Sequence, residues 1–176
     1  MSWWDRIAAI LVGPSAEATP APSVRQLPAI AARDPVAEPL RDGIYAHWSE
    51  VPWPVERWPN FSARELACPC CGEAYIDRAS IDMLQEARRR YGAAMTINSA
   101  HRCPIHNAHV GGAPLSEHKK IAFDVSIRGR DRWAVLRALQ QAGFTTFGYY
   151  QTFIHTDIRP GRTWFSGEKA RQLWTS

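Results

Sequence analysis

A chain of 176 residues, 45% apolar and 22% charged, has the composition of a globular protein with one domain of ordinary size, which excludes fibrous and wholly disordered classes. No stretch approaches the about 20 consecutive apolar residues of a membrane span. The formal net charge of +4 favours anionic partners, cell-wall polymers among them, but the longest basic run is Arg88-Arg89-Arg90 inside an expected helix, so no concentrated footprint for nucleic acid exists.

In chain order, residues 1–13 contain a short amphipathic segment, with Trp3, Trp4, Ile7, Ile10 and Leu11 as its apolar side. Asp5 and Arg6 interrupt it and no basic stretch precedes it, so it is a poor export signal and reads better as a helix that docks on the domain or on a partner, with binding to a membrane surface as the other reading. Residues 14–59 form a tether. Its first part carries prolines at 14, 20, 22, 28, 35 and 39, which deny it long helices, and its second part carries Trp48, Trp53 and Trp58. The domain proper is expected over residues 60–176.

Within that domain, Ser62 or Asn60 is placed to cap a short turn over Ala63 to Ala67. A helix follows from Ser80 as N-cap, with Ile81, Leu84, Ala87 and Tyr91 on one face and Gly92 as its stop. Met95 to Ser99 is a short strand, and Ala100 to Leu115 a loop with Gly111-Gly112 at its tip. Ile121 to Ile127 alternates, with Phe123, Val125 and Ile127 on one side and Ala122, Asp124 and Ser126 on the other. Asp131 opens a second helix that Gly143 ends, and Thr145 to Tyr150 and Phe153 to Arg159 close the chain as strands. Helices and strands mix without a βαβ rhythm, so the expected fold is α+β, a small antiparallel sheet with flanking helices behind a Pro-rich extension.

Four cysteines fall at 68, 70, 71 and 103. Cys68, Cys71 and Cys103 suit a second metal, because a C-x-x-C pair is a usual zinc-ligand spacing. A disulfide from one of the clustered thiols to Cys103, or buried free thiols, are equally open readings.

The residues that carry chemistry are polar ones set into apolar strands. His155 and Asp157 sit two apart and share a strand face, and Asp124 occupies the polar face of its own strand. His118 lies just upstream in a polar loop. Two imidazoles and a carboxylate leave a tetrahedral zinc ion one open position, the pattern of a catalytic site.

The segments Asn98-Ser99-Ala100-His101-Arg102-Cys103-Pro104, His106-Asn107, Val110-Gly111-Gly112, Ser116-Glu117-His118, Ala122-Phe123-Asp124, Gly148-Tyr149-Tyr150 and Phe153-Ile154-His155-Thr156-Asp157 resemble the zinc D-Ala-D-Ala carboxypeptidase and murein endopeptidase family, whose fold is shared with the Hedgehog signalling domain. The resemblance implies a zinc cofactor held by His118, Asp124 and His155, and peptidoglycan peptides as substrate. It further implies Arg102 and Ser116 at the substrate and Asp157 as catalytic group or as orienter of a ligand. Where other branches of that family place an acidic base, this chain has Thr152. It also departs from the family pattern S-x-H-x-x-G-x-A-x-D. The path from His118 to Asp124 takes six steps and lacks the glycine, so His118 is expected to be displaced and a reinserted glycine to restore it. The alternative expectation is a non-catalytic structural or wall-binding module of a phage or phage-like particle, attached through the N-terminal segment. The poor export signal suits a phage-encoded or virion-associated protein that reaches the wall after release.

Overall fold

The computed structural model describes residues 39–176. The expected segment 1–13 and the tether up to residue 38 lie outside the described residues. From Pro39 onward the order is β1 (Gly43–Tyr45), α1 (Ala63–Leu66), β2 (Ala74–Ile76), α2 (Arg78–Tyr91), β3 (Ile97–Ser99), α3 (Pro104–His109), β4 (Phe123–Ser126), α4 (Arg132–Gln141), β5 (Thr146–Tyr149), β6 (Phe153–Asp157), β7 (Thr163–Phe165) and α5 (Glu168–Thr175). The class is α+β.

The expected start at residue 60 is too late. Tyr45, Val51 and Trp58 belong to the buried core, Trp58 with no exposure at all, and β1 pairs antiparallel with β2. The Trp58 indole donates to Asp82 on α2 at 2.9 Å, so the Trp-rich stretch is bound into the domain by both apolar burial and a hydrogen bond. Helix α2 also starts earlier than expected. Asp77, not Ser80, is the N-cap, its carboxylate accepting the Ser80 N–H at 2.7 Å, and Gly92 at φ 74° closes the helix as anticipated.

The main sheet runs β3-β4-β6-β5-β7. Its first four strands are antiparallel, and β7 adds a parallel edge against β5. Helix α2 packs on α4, and their apolar sides join Phe123, Val125, Phe147 and Ile154 in one buried cluster. Helix α5 packs beside β5 and β7, where Trp174 sits against Tyr149 with ring centroids 4.7 Å apart.

Register decides what the opposite sheet face presents. Ser99 pairs with Asp124, Asp124 with His155, His155 with Gly148, and Gly148 with Trp164. Residues directly opposite on paired strands point to the same side. One row crossing all five strands therefore carries Ser99, Asp124 and His155, then Gly148 and the Trp164 ring, on the face away from Phe123, Val125 and Ile154.

Candidate metal centre

Asp124 and His155 are neighbours on that row, and His118 reaches them from a 3-10 turn, Glu117–Lys119, that leads into β4. All three are buried. Asp124 Oδ1, His118 Nε2 and His155 Nδ1 stand 3.0–3.1 Å from one another. Tetrahedral zinc with bonds of about 2.0–2.1 Å separates its ligand atoms by about 3.3 Å, so the spacing fits such an ion.

Hydrogen bonding fixes which atoms face inward. His118 Nδ1 donates to the Ala100 carbonyl at 2.6 Å, which turns the Nε2 lone pair toward the cluster. On the other side of His155, Nε2 donates to Asp157 Oδ2 at 3.1 Å, leaving Nδ1 turned inward. Two nitrogen lone pairs and a carboxylate oxygen thus converge in a buried space. Such a group needs a proton or a cation among its members. Without the cation, burial would raise the Asp124 carboxyl, but hydrogen bonds from His118 and His155 outweigh it and hold it well below the usual range. Burial likewise disfavours the charged His155 ring, yet bonds to Asp124 and Asp157 win and raise its pKa.

Asp157 is placed differently from the catalytic expectation. It is buried behind His155, it does not line the cleft, and Arg159 donates to its two oxygens from Nε at 3.0 Å and Nη2 at 2.6 Å. Burial again works upward on this carboxyl, and the bonds to His155 and Arg159 carry it the other way, below the ordinary value. A group in this position acts through the imidazole it orients, not on a substrate.

Arg102, expected at the substrate, is bonded to one of the three donors. Its Nε donates to Ser99 Oγ at 2.8 Å and its Nη2 to Asp124 Oδ2 at 2.7 Å. The guanidinium thereby takes up one carboxylate oxygen and leaves Oδ1 for the centre. Ser116 caps the turn that bears His118, its Oγ accepting the His118 N–H at 3.3 Å. His106, by contrast, sits on α3 in what was expected to be loop. Cys103 as N-cap and Pro104 at the first turn start that helix.

The missing glycine does not displace His118. Lys120 closes the shortened loop with φ −109° and ψ −103°, its N–H bonding to the Glu117 carbonyl at 2.9 Å. Its own carbonyl accepts from His101 Nδ1 at 2.7 Å, and His101 Nε2 lies 2.9 Å from Glu73 Oε1. The buried His101 ring thus pins the loop end. Inserting a glycine between Lys120 and Ile121 should therefore break this bond and lower metal affinity by about 10-fold or more, the size of effect seen when outer partners of a metal site are lost. Competition with a chromophoric chelator measures it, and a tighter site in the insertion variant would show the short loop to be strained.

The centre opens on one side into a cleft of about 670 Å³. Arg102, Arg159 and Arg162 line it together with Glu117, Ser116, Tyr150, Phe153 and Trp164. Gly148 makes room for one wall, because a Cβ there would collide with the Trp164 ring, which lies 5.3 Å from the His155 ring between centroids. The sequence offered little signal for Glu117, Arg162 or Trp164, since the strand that brings Trp164 alongside is a parallel edge of only three residues.

An α+β domain with a buried His-Asp-His donor set at the floor of an open cleft is the layout of a metallohydrolase. Residues 59–157 match the peptidase M15 family, and the chain belongs to it. A comparison with curated proteins finds no match. The matched residues include all three inward-facing donors, while Arg159, Arg162 and Trp164 lie beyond them.

Proposed function

We propose that the protein is a zinc peptidase that hydrolyses peptide bonds in the stem or cross-link peptides of bacterial peptidoglycan. The observation that carries this reading is the convergence of His118, Asp124 and His155 beneath a cleft lined by three arginines. The motif resemblance supports the wall peptide as substrate, and the charge of the cleft suits the free carboxylates that such peptides carry.

Bound at this centre, zinc supplies Lewis acidity toward a peptide carbonyl and lowers the pKa of water. His118 and His155 present their inward nitrogens because Ala100 and Asp157 hold the opposite ring edges. Asp124 contributes one oxygen while Arg102 holds the other. Arg159 and Arg162 are the cationic groups at the cleft wall that receive a substrate carboxylate. Among the cleft-lining carboxylates, Asp124 is held by Arg102, which leaves Glu117, with one oxygen 3.7 Å from Arg159 Nη1, to accept the proton released in hydrolysis. Tyr150, Phe153 and Trp164 give the peptide an apolar surface.

The test is digestion of purified muropeptides by the zinc-loaded protein, with products identified by mass spectrometry. The native chain should release peptide fragments, and Glu117→Gln should slow release by about 10²-fold with its zinc intact, as expected for loss of a proton acceptor. A zinc-replete protein that leaves every muropeptide whole would favour the non-catalytic wall-binding module.

A further inference from the structure

A second constellation of metal-ligating side chains lies outside the cleft. Cys68, Cys70 and Cys71 occupy the turn between α1 and β2, and Cys103 caps α3. Their four sulfur atoms all lie within 4.8 Å of one another, with Cys68 Sγ 3.4 Å from Cys70 Sγ and Cys70 Sγ 3.5 Å from Cys103 Sγ. No pair among them is bonded. A tetrathiolate zinc with bonds of about 2.3 Å sets its sulfurs about 3.8 Å apart, close to what the turn provides. A disulfide would draw two of the sulfurs to about 2.05 Å and leave the other two without a role.

The backbone is arranged to aim these thiols at one point. The Cys68 N–H donates to the Glu73 carbonyl at 2.7 Å and the Gly72 N–H returns to the Cys68 carbonyl at 2.9 Å, so the turn folds back on itself. Gly72 sits at φ +79°, and a Cβ there would collide with the His47 ring, so the tight turn needs glycine. Cys68 and Cys103 are buried, whereas Cys70 and Cys71 face solvent, which gives an ion an entry path from outside. Arg64 lines the same surface groove and offsets the negative charge that four thiolates leave on a divalent ion.

We propose that Cys68, Cys70, Cys71 and Cys103 bind a structural zinc ion, a closed site separate from the centre in the cleft. Its work is mechanical. Cys103 follows Arg102, which bonds to Asp124, and His101, which bonds to both Glu73 and the end of the metal loop. The ion ties the 68–71 turn to this stretch and so holds the outer partners of the cleft centre in place.

The experiment measures zinc in the full chain purified under reducing conditions. The native protein should carry two equivalents, and His155→Ala one that cleft-directed chelators do not remove. An organomercurial titrated into His155→Ala should release that remaining zinc in step with thiol modification. Cobalt substituted into the same variant should show thiolate-to-metal charge-transfer absorption, and Cys103→Ser should lose that absorption. Because these readings use a chain without the cleft centre, they stand apart from the peptidase reading. His155→Ala that holds no zinc while all four thiols react freely would overturn the proposal, as would a mass two hydrogens short in native protein purified without reductant.

Discussion

Replacing His155 by alanine should abolish metal binding in the cleft and with it all peptidase activity, while the domain stays folded. The side chain supplies one of three inward donors, and Asp124 and His118 alone leave a site with too few ligands to hold zinc. The fold should survive because the carboxylates left behind keep other partners. Arg102 remains bonded to Asp124, and Arg159 to Asp157. The core is also untouched, since Ile154 and Thr156 point to the opposite side of β6. Ligand binding stabilises the native state by RT ln(1 + [L]/Kd), about 4 kcal/mol at a thousand-fold excess over Kd. The native protein should therefore melt at a lower temperature when a strong chelator strips the cleft, and the variant should lack that component. Equal zinc content and equal chelator response in the two proteins would show that His155 is no ligand.

The second large effect is expected at Arg102. Substitution by lysine keeps the charge but loses the planar fork that spans Ser99 Oγ and Asp124 Oδ2. If the arginine served the substrate alone, KM would rise and metal affinity would stay constant. The geometry predicts otherwise. Released from its guanidinium, the Asp124 carboxylate can rotate, and metal affinity should fall by about 10- to 100-fold, with kcat falling alongside. Equilibrium competition for zinc, run beside muropeptide kinetics, separates the two cases. Unchanged zinc affinity with a raised KM would return Arg102 to the role of substrate anchor.

The parts of this site legible in the sequence were those written in strand periodicity. Asp124 and His155 stood out as polar residues in alternating apolar runs, and alternation is a local property. Helix α2 was legible for the same reason, although its start was misplaced, because Asp77 and Ser80 are both good capping residues and only the folded chain shows which N–H each meets. What escaped was set by pairing between distant segments. Strands β1 and β2 have three residues each and carry no period of their own. The resemblance places Arg102 at the substrate, and nothing local says that Asp124 lies within 2.7 Å of it. For Asp157 the resemblance leaves two roles open, catalytic group or orienter of a ligand, and a shared strand face does not reveal that Arg159 encloses it. The Lys120 loop was misjudged for a related reason. Its missing glycine is visible in the chain, but the compensating ring of His101 comes from 19 residues away.

The row from Ser99 to Trp164 also bears on when the protein can be charged with its ion. Asp124 and His155 are 31 residues apart and meet only through the β4–β6 ladder. A slip of one residue in that ladder would turn His155 into the interior and Ile154 toward the cleft. Before the sheet closes in register, the chain offers only scattered donors with no common point. An ion at this centre would therefore find its three donors together only once β4 and β6 have paired in register. A chain paired one residue out of register would present Ile154 in place of His155 and would lack the donor set.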